Sequence, residues 1–415
     1  MSRNGSGTYT LPAGNPVVTG TTISSTWANN SLSDIATALT QSLAKDGQTT
    51  PTANIPMGSF KLTGLGAPTT AGDALAYGSP MGAISGTTGT FSGNVQMASL
   101  NGGAVSLRNK IINGNMGIFQ RGTTAVTTGA TYGPADRWVT GTAGNTFSTT
   151  QGSFVSGDTL FDTGGAQFFT QIAVTSVAGA SNSTDFSQKI EDVRLLAGQT
   201  VTVSFWAKAA SGTPSIGVEV RQNFGTGGST TVTGTGQAQA LTTTWAQYTK
   251  TFTVPSINGK TVGTANTHFT QLVFWLDAGS TLNTVSGSIG QSSKTVSIAQ
   301  VQVEIGPVAT PFEQRPIGLE YSLCARYYWT QTSAQYAAYM VQNDSVFWTG
   351  SYGVPMRTVP SITYSGGTLS PATVTIGFVP TAFGYVTNLS AGASGTTTPG
   401  RHYIQGATLF ANAEL

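Results

Sequence analysis

The chain has 415 residues, only 8% of them charged, and a formal net charge of +2, against roughly 25% charged residues in an average soluble domain. No basic run is present, which argues against nucleic-acid binding through phosphate neutralisation. No stretch of about 18 apolar residues predicts a membrane helix, and the N-terminus lacks the apolar core of a signal peptide, so synthesis in a reducing cytoplasm is expected. The charge deficit is filled by Gly, Thr, Ser, Asn and Gln, while aromatic content is ordinary. At about 150 residues per domain, two or three domains are expected.

Residues 1–80 form the first segment. Within it "SLSDIATALTQSLAKDG" (Ser31–Gly47) predicts a helix. Ser31 and Asp34 make a capping box, Leu32, Ile35, Leu39 and Leu43 recur at helical spacing, and Gly47 is the stop. So short a helix is marginal alone in water, so its stripe must dock, and Trp27 is the nearest candidate. "IPMGSFKLTGLGAP" (Ile55–Pro68) then sets Phe60, Leu62 and Leu65 among glycines, too broken by turns to bury them itself. Residues 81–107 continue as a thin neck. Disorder is one explanation of this Gly-punctuated stretch. The other is several copies packed around a common axis, which the regular apolar punctuation favours.

From Asn15 to Pro68 the elements "VTGTTI", "TWANN", "SDIATAL", "AKDGQ" and "PMGSFKLTGLG" occur in order. Together they resemble the virion-attachment region of tail fibre and tail spike proteins from short-tailed bacteriophages. The resemblance implies a homotrimer anchored to phage tail adaptor or tube proteins by its N-terminus. The attachment residues would be Trp27, Leu32, Ile35, Leu39, Leu43, Phe60, Leu62 and Leu65.

Residues 108–316 read as all-β. "TVTVSFWAKA" (Thr200–Ala209) alternates, with Val201, Val203 and Phe205 on one face. "SIGVEV" places Ile216, Val218 and Val220 inward and Gly217 and Glu219 outward. "FTQLVFWLDA" and "TVSIAQVQVE" are further strands. In the last, Val296 and Ile298 share one phase and Val301 and Val303 the other, which predicts a bulge near Ala299 or Gln300. Strands are also predicted at "ADRWVTG", "AQFFTQI", "DFSQKIEDV" and "TWAQYTKTFTV". Such strands, unevenly spaced among Gly/Thr loops, suit a two-sheet jelly-roll β-sandwich. Trp206 and Trp275, embedded in alternating apolar strands, are assigned to the core. "NFGTGGSTTVTGTGQ" lacks the Lys-Ser/Thr and helix of a phosphate loop and reads as a hairpin tip.

"NKIINGNMGIFQRG", "ADRW", "LLAGQTVTVSFWAK" and "VQVEIGPVATPFEQRP" resemble the jelly-roll domain of phage tail fibres, akin to carbohydrate-binding modules. In that pattern Asn113, Asn115, Phe119, Gln120 and Arg121 lead into the first strand, and Pro311, Phe312, Glu313 and Arg315 close the domain. These are read as structural. From Ile317 onward the chain is dense in aromatics. A helix from Leu319 to about Trp329 precedes strands in "SVFWTGSYGVPMRTVPSITYSG", "TVTIGFVPTAF" and "RHYIQGATLFANAEL". This segment resembles the terminal domain of such fibres.

The chemistry available is sparse. Glu191, Asp192, Glu219, Asp277, Glu304, Glu313 and Asp344 are the notable acids. Glycoside hydrolysis needs two carboxylates flanking one bond, and Glu191 and Asp192, adjacent on a predicted strand, point to opposite faces. His268 reads as a surface or capping residue. No Gly-x-Ser-x-Gly elbow accompanies it or His402. The single cysteine, Cys324, is assigned to the interior. No metal cluster or cofactor motif is present. Pyranose rings suit exposed aromatics beside amides and hydroxyls, and Tyr328, Trp329, Tyr339, Trp348, Tyr352, Arg401, His402 and Tyr403 are the candidates. Phe347 and Trp348 are expected to face opposite ways.

The expectation is a mainly β, elongated homotrimer. Residues 1–80 attach to the virion, 81–107 form the neck, 108–316 the jelly roll and 317–415 a β tip that binds a host surface glycan. A polysaccharide depolymerase is the alternative.

Overall fold

The computed structural model describes residues 18–40, 107–162, 164–341, 343–370, 374–391 and 400–415. The chain divides into two units, Met1–Val95 and Gln96–Leu415. In the first, α1 spans Ser25–Thr40. The Ser24 hydroxyl accepts the Trp27 backbone N–H at 3.2 Å, so the cap is Ser24. Ser31, expected as the cap, is buried inside the helix. Leu32 and Leu39 are 64% and 68% exposed, and Trp27 and Ile35 are half-buried. Leu43, Phe60, Leu62 and Leu65 lie outside the described residues.

In the second unit the alternating apolar segments form two facing sheets. One has the order β1 (Thr131–Tyr132), β2 (Val139–Ala143), β5 (Ser183–Ile190), β10 (Phe269–Ala278), β7 (Ser215–Asn223), β8 (Gln237–Ala240). The other runs β3 (Thr146–Ser153), β4 (Phe168–Thr175), β11 (Lys294–Ile305), β6 (Thr200–Ala209), β9 (Ala246–Thr253). Their strands pair antiparallel. This is the mainly β jelly-roll sandwich that the alternation predicts. Its core is built on Trp138, which stacks on Phe186 with ring centroids 4.6 Å apart, and on Phe205 and Phe274. Asn113 donates to the Ile118 and Asp136 carbonyls and Arg315 to that of Ile111, so both serve the backbone as expected.

The bulge falls where the phase slip puts it: β11 shifts register against β6 between Ala299 and Gln302. Gln300 adopts φ +46°. Val296, Ile298, Val301 and Val303 are all fully buried as a result. Glu191 and Asp192 differ from expectation, lying just past the end of β5. Glu219 also differs. It points away from the core, as read, yet is buried, because the segment around Gly234 and the short α3 (Asn283–Ser286) lie over that face. Gly217 makes the cover possible, since a Cβ there would meet the Ser286 carbonyl oxygen at 2.1 Å. The remaining short helix, α2 (Thr159–Asp162), precedes β4.

Helix α4 (Ile317–Ala325) ends four residues short of Trp329, the expected limit. It buries Cys324, whose thiol pKa is pushed well up by desolvation. Two three-stranded sheets follow. Their orders are β12 (Tyr328–Met340), β17 (Gly400–Asn412), β14 (Ser361–Ser370) and β13 (Ser345–Ser351), β16 (Gly384–Ala391), β15 (Val374–Pro380). Between them pack Tyr352, Met356, Tyr385 and Leu409, and, separately, Met340 and Leu389.

Two arginines of the sandwich fasten these sheets to it. Arg137 is buried, with its guanidinium 3.5 Å from the Tyr327 ring centre, and pairs with Glu414. Arg121 lies 3.6 Å over the Tyr328 ring and pairs with Glu414 at 3.1 Å and Asp136 at 3.6 Å. Desolvation lowers the Arg121 pKa, and Asp136 pulls against it. Burying charge costs several kcal/mol unless it is paired. Glu414→Ala strands Arg137 without its carboxylate and should cost about 3–5 kcal/mol in denaturant unfolding. A loss below about 1 kcal/mol, the scale of a surface pair, would contradict this anchor.

Candidate functional site

The last sheets bring together three of the residues singled out for receptor contact. On the outer face of β12 and β17, Tyr339 sits opposite Arg401 and Ala337 opposite Tyr403. Tyr339 is 78% exposed, and the Arg401 guanidinium lies 5.3 Å from the Tyr403 ring centre. The other five candidates turn inward. His402, one residue out of phase with its neighbours, is 1% exposed. Tyr352 is buried, and Tyr328 is buried beneath Arg121. Trp329 and Trp348 are half-buried and pack on Tyr352, 5.3 Å away, and on Tyr336, 5.5 Å away. Two facing sheets need inward aromatics to fill the space between them, and strand alternation turns Trp329, Trp348 and His402 there. Tyr352 joins them from just past β13, while Tyr328, adjacent to Trp329, turns to the sandwich instead. Tyr328, Tyr352 and His402 are therefore corrected from contact residues to interior ones. Phe347 is exposed and Trp348 faces in, as alternation requires.

A groove lies elsewhere, on the outer face of the five-stranded sheet. Val201, Val203, Phe205 and Ala207 of β6 take the interior, so Trp206 must point outward. It pairs across the sheet with Ala299 on one side and Gln247 on the other. Trp206 is half-buried, not core: one side packs on a cluster containing Phe154, Leu160, Phe169 and Trp245. Beyond it opens a cavity of about 560 Å³ whose lining includes Trp206, Gln247, Gln300, Thr310, Phe312 and Gln314.

The far wall, residues 309–314, is held firmly. Thr310 donates its N–H and hydroxyl to Glu304 at 2.8 and 2.6 Å. The Glu313 N–H donates to the Gln302 side chain at 2.8 Å, and Arg108 donates to the Pro311 carbonyl. An aromatic face beside amides, on a wall that needs no ordering, is the composition that holds a sugar ring.

The acids serve the fold. Asp277 accepts from Asn145 at 2.8 Å, Ser176 at 2.9 Å and the Ser292 N–H at 2.7 Å. Glu191 accepts from Tyr327 at 2.8 Å. Glu313 accepts from the Asn109 N–H at 2.7 Å. Glu219 accepts from the Trp275 indole N–H at 3.0 Å and pairs with Arg221 at 3.0 Å. Burial raises the Glu219 pKa, and Arg221 pulls against it. His268 is buried and lies 2.9 Å from Asp192, so the surface assignment is corrected. Among the described residues no group of three or more His, Cys, Asp or Glu side chains is placed to hold a metal.

Residues 161–268 match the family model described as a carbohydrate binding domain. The matched stretch contains β4 to β9, and with them Phe169, Trp206, Trp245 and Gln247. A search of curated proteins gave no match. Solved structures were found at low similarity. One is the enzymatically active domain of tailspike protein 4 from bacteriophage CBA120, at 15% identity and TM-score 0.27 over 48% of this chain and 22% of that one. The chain thus spans less than a quarter of that tailspike domain. A family 11 carbohydrate-binding module from Clostridium thermocellum, in complex with a mixed-linked tetrasaccharide, gives 8% identity and TM-score 0.28 over 46% and 99%. The N-terminal cellulose-binding domain of a Cellulomonas fimi β-1,4-glucanase gives 21% and 0.27 over 43% and 93%.

The burial of the candidates makes a distinction that thermal unfolding reads. Tyr352→Ala should cost about 3–5 kcal/mol, as for other buried aromatics. Tyr339→Ala should stay within about 0.5 kcal/mol. Equal losses would contradict the assignment of one to the interior and the other to the surface.

Proposed function

We propose that the chain is a tail-fibre adhesin of a short-tailed bacteriophage, and that its jelly roll binds a host surface glycan in the groove beside Trp206. The observation that carries this reading is the groove's composition, one side of a tryptophan beside the glutamine amides of the neighbouring strands and faced by a fixed wall. The carbohydrate binding domain match over the strands that bear Trp206 and Gln247 supports it. The virion role rests on the N-terminal resemblance. Three copies of a weak site on one trimeric fibre would gain avidity of about 10²–10⁴-fold where the geometry permits simultaneous engagement. Adhesion is favoured over depolymerisation because the acids discussed above are engaged in holding strands and loops.

On a glycan array, Trp206→Ala should weaken binding of the full chain about tenfold or more, the worth of one aromatic stack with its buried area. Unchanged binding would remove the groove from the account. Deleting residues 1–80 should leave array binding intact and abolish incorporation into virions. Decorated particles from that deletion would refute the attachment role. New reducing ends released from the bound polysaccharide would replace adhesion by cleavage.

A further inference from the structure

Gln300 sits at the floor of this groove in an unusual way. The bulge gives it a left-handed backbone, φ +46°, which directs its side chain toward Gly164. Its Nε2 donates to the Gly164 carbonyl at 2.6 Å. A carbonyl can only accept, so the amide cannot be flipped, and Oε1 is the end left over. The residue is 4% exposed, yet Oε1 takes no hydrogen bond from any described residue and is not sealed from solvent. It is a fixed acceptor still open to the groove. Gly164 permits the approach. A Cβ there would lie 2.8 Å from the Leu160 oxygen and 3.0 Å from the Gln300 Nε2.

Among the described residues the groove lining carries no ionisable side chain. The nearby charges stand outside that lining. Lys208, two residues along β6, lies 5.2 Å from the Trp245 ring centre and 6.0 Å from that of Phe169. Both Glu304 oxygens are held by Thr310, and Arg108 stands 3.6 Å from one of them. A carboxylate set against Gln300 would be desolvated and would face the partial negative charge of Oε1.

Resting on the groove reading above, we infer that Gln300 is the specificity-determining residue of this site. It demands a hydroxyl that donates to its Oε1, and so selects a sugar unit with a free hydroxyl and no carboxylate at that position. The ligand class is an uncharged segment of a glycan, stacked on Trp206.

The test is the full chain on an array pairing neutral glycans with their uronic-acid counterparts, followed by titration of the best binder at low and high salt. The expected result is selection of the neutral members with affinity insensitive to salt. Gln300→Leu, which removes the acceptor, should lower that affinity roughly tenfold, the worth of a lost hydrogen bond in a dry site. Gln300→Glu should also lower it, because a carboxylate cannot donate to the Gly164 carbonyl and is repelled from the position that aims the acceptor. Selection of uronic-acid glycans, or wild-type affinity in both variants, would overturn this inference; if Trp206→Ala still abolished binding, the groove would survive. Binding indifferent to Trp206→Ala would instead overturn the groove itself. Should the Gln300 variants fail to fold, the wild-type choice between neutral and acidic glycans and its salt dependence decide the matter alone.

Discussion

β11 is the middle strand of the five-stranded sheet, and it changes phase between Ala299 and Gln302. Without that extra residue, Val301 and Val303 would fall on the face opposite Val296 and Ile298. The core would then lose half of one strand's apolar contribution. The bulge keeps all four inside and leaves Ala299 and Gln300 to the other side. Ala299 is small enough for the aromatic cluster around Trp245 to lie over it. Gln300 is turned into the groove. One irregularity thus serves the packing of the sandwich and the placing of its most specific polar group, as bulges near functional sites often do.

The groove's two walls come from different parts of the chain. Trp206 and Gln247 belong to neighbouring strands, whereas residues 309–314 return after the last strand of the sandwich. That returning segment is fixed by Glu304 and Gln302, both outward residues of β11. A few residues later α4 begins, and with it the aromatic sheets. These are held by the half-buried Arg121 and the buried Arg137, cations stacked on Tyr328 and Tyr327 and paired with Glu414. Polar groups fasten both the far wall and the terminal sheets, which fits a chain poor in charge that spends few of its ionic side chains on the surface.

Much of the sandwich was legible. β6 was readable end to end because alternation continues for its full length, and β10 because it contains an unbroken apolar run, although its register shifts against β5 between Trp275 and Asp277. The slip in β11 was readable because two apolar pairs stand out of phase. β1, β3 and β8 were not foreseen. They lie at sheet edges, where one neighbour is missing and the apolar signal is thin, as in "TFSTTQGS". Glu219 was read in the right direction, but the cover over it comes from segments distant in sequence. The site itself was hidden for a related reason. Glutamines carry no periodicity, and Gln247, Gln300 and Gln314 meet only through folding. One signal was present: Trp206 stands out of phase with Val203, Phe205 and Ala207, so alternation alone places it outside. In the terminal sheets alternation separated Phe347 from Trp348 correctly. Applied equally to Arg401, His402 and Tyr403, it would have set His402 apart.

Hydrogen–deuterium exchange of the full chain, with and without its bound glycan, tests the central claim most directly. The account predicts slowed exchange at residues 299–302 and 309–314, the floor and far wall of the Trp206 groove. Protection confined to the outer face of the terminal sheets, around 337–340 and 401–405, would place the sugar elsewhere and contradict it.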